Sequence, residues 1–161
     1  MKKNVSIILT SFLLTFTNAA SANAEGIANF SGHWIASVGK VSSNVGLSSN
    51  CSRVEIIIEQ SDTAILIKKY NAECAMFGSS WGPVSMEIKG TKVFENGEEV
   101  GHISADTLIT ISQEPSAAYA FNLKLISDAS GKPIMESYYG VKNGVGAIAT
   151  EANLAKANEL F

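Results

Sequence analysis

Arginine occurs once in the 161 residues, at Arg53, and no run of lysines makes up for it. With 12 Lys and Arg against 15 Asp and Glu, the chain lacks the basic patch that a phosphate backbone requires, so nucleic acid is excluded as a partner. Histidine is nearly as scarce. His33 and His102 stand far apart in sequence, with no His-x-His or His-Glu-x-x-His spacing, so neither a metal nor a cofactor is expected. No Gly-x-Ser-x-Gly elbow, phosphate-binding loop or paired-carboxylate motif occurs, and Gly78-Ser79-Ser80 reads as loop composition. The expectation is a protein that is not an enzyme. Charged residues make up only 17% of the chain and prolines number 3, which excludes a disordered polyelectrolyte. Between Trp34 and Tyr139 no apolar stripe of helical length appears, which excludes a helical bundle.

What is present begins with a targeting segment. Met1-Lys2-Lys3 forms a positive start, Val5 to Phe16 is apolar, and Ala22-Asn23-Ala24 supplies the small-x-small pattern of a secretory cleavage site. Residues 1–24 are therefore read as a bacterial signal peptide, with the mature chain beginning at Glu25 and a periplasmic or secreted destination. The apolar run is shorter than the roughly 20 residues a membrane helix needs, so no membrane span is expected after cleavage. The remaining 137 residues carry ten Lys and Arg against fifteen Asp and Glu, which makes the mature form mildly acidic. Cys51 and Cys74 are the only cysteines; in an oxidising compartment, without a Cys-x-x-Cys or a nearby histidine, they are expected to form a structural disulfide.

Beyond residue 30 the chain breaks into short β-rich runs with turn signals every 8 to 14 residues, the rhythm of an all-β protein. Runs are expected at 34–38, 53–60, 64–70, 84–89, 91–94, 100–104, 107–113, 119–126 and 134–139, with Gly78 to Pro83 a loop around Trp81. Asn96-Gly97 is the strongest hairpin signal, because both residues tolerate the positive φ of a tight turn. A three-residue loop at Ser61-Asp62-Thr63 would pair Gln60 with Ala64, setting Val54 against Tyr70, Ile56 against Lys68 and Ile58 against Leu66. Glu55 would then meet Lys69 on the other face, and Cys51 would face Glu73, so the disulfide would require a bulge. Eight or nine antiparallel strands in a meander close most readily into a barrel over residues 25–149, which removes the exposed edges. Residues 150–161 are rich in alanine and space Leu154, Ala157 and Phe161 at helical intervals, which predicts a short C-terminal helix or a frayed tail. A small outer-membrane barrel shares the signal peptide, the strands and a terminal phenylalanine, but the final residues lack a lipid-facing alternation and an aromatic girdle.

Phe30-Ser31-Gly32-His33-Trp34 places a Gly-x-Trp at the start of the first strand. This resembles the opening of the calycin barrels, which include lipocalins, avidins and the small periplasmic inhibitors of secreted bacterial zinc metalloproteases. Lipocalins bring a basic residue from the last strand across that tryptophan, and Lys142 is the basic residue near the last expected strand. The resemblance implies an eight- or nine-stranded barrel that acts by binding. Its interior stripe would include Trp34, Ile56, Tyr70, Tyr119, Phe121 and Leu123, and the first candidate ligand is a small apolar molecule. The inhibitors share the order Ser31-Gly32-x-Trp34, Cys51, Cys74, Trp81, and by that analogy a free arm of Glu25 to Asn29 would insert into a protease cleft. A protein partner, met through that arm or through the outer surface, is therefore the alternative. Ile56-Ile57-Ile58 and Ile65-Leu66-Ile67 are apolar on both faces, so periodicity leaves their outward residues in need of cover.

Overall fold

In the computed structural model of the protein, residues 26–157 are described; the signal-peptide reading of residues 1–24 and the last four residues lie outside them. The described chain is a closed antiparallel β-barrel compatible with a calycin-like fold. Strand β1 (Gly32–Ala36) and strand β2 (Gly39–Ser43) are two halves of one position. Both pair with β3 (Ser48–Gln60) on one side and with β12 (Ala147–Lys156) on the other. Gly39, which opens β2, packs so closely on β3 that a Cβ there would come 2.8 Å from Val54 Cγ2.

A second split position follows β4 (Ala64–Cys74): β5 (Ser79–Trp81) and β6 (Val84–Lys89) each pair with a different half of β4, and the ladder lapses at Gly82-Pro83, where proline has no N–H to give. The meander continues through β7 (Lys92–Glu95), β8 (Glu98–Ile103), β9 (Thr107–Gln113), β10 (Ala117–Ser127) and β11 (Pro133–Asn143) to β12. Twelve strands thus make ten positions round the barrel, not eight or nine. The extra strands β2, β5 and β12 carry many small residues, Gly39, Ser42, Ser43, Ser79, Ser80 and the alanines of β12, which pair through their backbones while giving little β signal.

Among the described residues the C-terminal helix does not form; Ala147–Lys156 make up β12. Helix propensity favours alanine, but the segment also alternates, with Thr150, Ala152 and Leu154 buried and Glu151 and Asn153 exposed. Pairing β12 with β11, β1 and β2 closes the barrel, and that tertiary gain outweighs a few tenths of a kcal/mol per residue of propensity.

The first hairpin also differs from the expected register. Gln60 pairs with Ile65, Ile58 with Ile67, Ile56 with Tyr70, and Val54 with Ala72. The ladder shifts twice, between Ile57 and Ile58 and between Cys51 and Arg53. The first shift leaves Lys68 unpaired and turns Ile65 and Ile67 into the core, so Leu66 points outward rather than inward. The second supplies the bulge that brings Cys51 opposite Cys74, and the two are disulfide-bonded. At the later Lys92–Ile103 hairpin Asn96 and Gly97 adopt φ of 52° and 85°, as the Asn-Gly signal requires.

One end of the barrel is closed by the chain that precedes β1. Phe30 is fully buried there; its amide donates to Gln60 Oε1 at 2.9 Å, Gln60 Nε2 donates to the Ala28 carbonyl at 2.7 Å, and the Ala28 amide donates to the Ser104 carbonyl at 2.9 Å. Trp34, also fully buried, donates its indole N–H to the Phe30 carbonyl at 2.9 Å. Gly32, at φ +146°, lies under that indole, where a Cβ would come 3.3 Å from Nε1. The ammonium of Lys156, in the last strand, sits 5.2 Å from the centre of the Trp34 ring. The basic residue that crosses the tryptophan is therefore Lys156, not Lys142.

Candidate functional site

Alternation along the strands carries a row of residues up the inside wall. Trp34 pairs with Ile56, Ile56 with Tyr70, and Tyr70 with Trp81. From the other side, Thr110 pairs with Phe121, Phe121 with Tyr139, and Tyr139 with Thr150. The two rows meet in an aromatic cluster. Trp81 stacks on Tyr70 with ring centres 5.1 Å apart, meets Phe121 edge-on at 5.4 Å, and lies 5.3 Å from Tyr139. Such contacts are worth about 1 kcal/mol each beyond the area they bury, which makes the cluster a firm floor.

Above this floor lies a cavity of about 260 Å³. Apolar walls come from Ile67, Val84 and Met86, and aromatic walls from Trp81, Phe121 and Tyr139. The mouth is polar. Thr110, Ser112 and Glu95 face inward, with Tyr119 and Glu114 at the rim. Ser112 donates its hydroxyl to Glu95 Oε2 at 2.7 Å, and the Tyr119 hydroxyl reaches Glu114 Oε2 at 3.5 Å.

The wall is thinnest beside these groups. Strands β8 and β9 are paired only between Gly101–Ile103 and Leu108–Thr110, so Ile111 to Gln113 have no ladder partner on the β8 side. At the same end of the barrel, three neighbouring loops expose Val45, Leu47, Met76 and Val145. The rim is thus apolar on one side and acidic on the other.

Burial in the cluster raises the Tyr139 hydroxyl above the usual tyrosine range and raises that of Tyr70 further, so both stay protonated hydrogen-bond donors. The Tyr70 hydroxyl lies near Thr150 but has no partner of good hydrogen-bond geometry, and the buried Trp81 indole N–H has none either.

Of the six interior residues expected from the sequence, Tyr119 and Phe121 line the cavity. Tyr70 supports its floor by stacking on Trp81. Trp34, Ile56 and Leu123 are fully buried in the packed part of the barrel and do not reach the cavity. Sequence reasoning missed Trp81, treated as a loop residue, and Glu95 and Glu114, which fall just past the ends of the expected runs at 91–94 and 107–113. One signal was available: the inward positions of β9 run Leu108, Thr110, Ser112, from apolar to hydroxylic, as expected of a strand that climbs from a core to a wet mouth.

On the outside of the barrel a different cluster forms. Glu55, almost fully buried, has Lys69 Nζ at 2.7 Å, His33 Nε2 at 2.6 Å and an Arg53 guanidinium nitrogen at 3.3 Å. The Lys69 hydrogen bond, aided by His33 and Arg53, outweighs the desolvation of the site and lowers the Glu55 carboxyl to about 2. Glu55 and Lys69 meet as expected, although diagonally. Among the described residues no group of three or more His, Cys, Asp or Glu gathers as a metal site would. No helix among them is long and apolar enough to cross a membrane. No protein-family model, curated protein or solved structure matches the chain.

Proposed function

We propose that this is an exported, non-enzymatic binding protein that holds a small ligand in the open end of a lipocalin-like barrel. The observation that carries the reading is the cavity of about 260 Å³, floored by the Tyr70, Trp81, Phe121 and Tyr139 cluster. A volume somewhat below the range of drug-sized pockets suits a compact ligand with a mainly apolar body. The Lys156 contact on Trp34 adds support for the lipocalin resemblance, and the disulfide fits an oxidising compartment.

The protease-inhibitor alternative, acting through the N-terminal arm, gains less support. That reading requires a free segment before β1, whereas Ala28 and Phe30 are buried and hydrogen-bonded across the closed end.

Native mass spectrometry of protein purified from its own periplasm tests the reading. A bound small molecule is expected, and it should be lost in Val84→Trp, which fills the cavity from β6. Tryptophan emission should report the same site, since Trp81 lies in the cavity wall while Trp34 is fully buried at the closed end. Binding that survives Val84→Trp would place the ligand elsewhere and overturn the assignment.

A further inference from the structure

Among the described acidic side chains, only Glu55, Glu95 and Asp128 are drawn back from full exposure. Glu55 has three basic partners. Asp128 accepts from the backbone amides of Ser130 and Lys132, at 2.8 and 3.0 Å, and so caps its own turn. Glu95 differs from both. Its side chain is held by one neutral donor, the Ser112 hydroxyl, and it takes part in none of the ion pairs among the described residues.

Glu95 also faces the cavity, where a second carboxylate, Glu114, stands at the rim and no Lys, Arg or His lines the wall. A carboxylate withdrawn from water costs free energy unless it gains a charged partner or several hydrogen bonds. A neutral apolar occupant would take water from Glu95 and return nothing, and an anionic occupant would add repulsion. A cationic occupant would supply the missing charge. The walls suit it as well, because the faces of Trp81, Tyr139 and Tyr119 attract an ammonium group and its carbon substituents.

We propose that the cavity takes a small organic cation, an amine whose apolar body rests against Trp81, Phe121 and Tyr139 while its ammonium group lies between Glu95 and Glu114. This rests on the reading that the open end of the barrel binds a small molecule, and it names the class of that molecule.

Calorimetric titration of the oxidised exported protein with three probes of one size tests it: 2-phenylethylamine, 2-phenylethanol and phenylacetate. The amine is expected to bind at least about tenfold more tightly than the alcohol, the scale of one charge-assisted contact with aromatic support, with phenylacetate the weakest. The double variant Glu95→Gln, Glu114→Gln keeps an acceptor for Ser112, so it should fold normally, as an unchanged melting temperature would show. In it the amine should fall to the affinity of the alcohol, and the alcohol should move by no more than about twofold. If the alcohol matches the amine in the natural protein, or the amine keeps its advantage in the double variant, the cationic class is refuted while the cavity stands as a binding site. If none of the three probes binds, the cationic class and the small-molecule reading fail together.

Discussion

Replacing Glu55 by glutamine removes one negative charge from a site where it meets three basic side chains, and the pH dependence of stability should reveal what it contributes. The carboxyl titrates near 4.5 in the unfolded chain and at about 2 in the folded protein. The unfolded chain therefore binds a proton first as the pH falls. The stabilisation is complete above about 4.5 and is lost as the pH drops toward 2. The shift corresponds to about 3 kcal/mol at neutral pH, and partial solvent screening of the half-exposed Lys69, Arg53 and His33 brings this to roughly 2–3 kcal/mol. More than half of it should vanish between pH 7 and pH 3.

Urea denaturation of the natural protein and Glu55→Gln at both pH values is the assay. At pH 7 the variant should be less stable by roughly 2 kcal/mol or somewhat more, and at pH 3 the two should differ by less than about 1 kcal/mol. An equal difference at both pH values, or no difference at pH 7, would show that the cluster does not hold the carboxylate as its geometry indicates.

Three further outcomes follow from single contacts. The protein should weigh two hydrogens less under non-reducing conditions than after reduction, and Cys51→Ala with Cys74→Ala should lower stability by about 3 kcal/mol; two alkylatable thiols would refute the pairing. Gly32→Ala should cost roughly 1–3 kcal/mol in thermal or urea unfolding and shift Trp34 emission, because the backbone φ of +146° disfavours a side chain and the new Cβ presses on the indole. Tyr70→Phe should be neutral or stabilising by up to about 1 kcal/mol, since the hydroxyl it removes is buried without a well-aligned partner; a loss of more than about 1 kcal/mol would show that the bond to Thr150 forms after all.

Local patterns predicted local outcomes well. Asn96-Gly97 formed its turn because positive φ at both positions is a property of those residues and depends on nothing distant. Alternating apolar residues marked the inner faces of β1, β3 and β10, and two cysteines in an expected export compartment were enough to predict their bond. Where both faces were apolar, the pattern lost its meaning. Ile65-Leu66-Ile67 could face either way, and the choice fell to the bulge at Lys68, which sits against the break at Gly82.

The strand count and the C-terminus were decided by closure. The alternation of Thr150, Ala152 and Leu154 fits a strand but does not outweigh the alanine-rich composition in isolation; the segment becomes one because β1, β2 and β11 leave backbone donors and acceptors that only another strand can satisfy. The site belongs to the same class of fact. Trp81, Glu95, Glu114 and Phe121 come from a three-residue strand, the end of a four-residue strand, a turn and a long strand, and each looks ordinary where it stands in the chain. Residue types and spacing determined that an all-β fold with a buried Trp34 and one disulfide would form. Tertiary structure alone placed two carboxylates over an aromatic floor, because that neighbourhood depends on the shear of a closed barrel, which brings together residues up to 72 positions apart along the chain, from Ile67 to Tyr139.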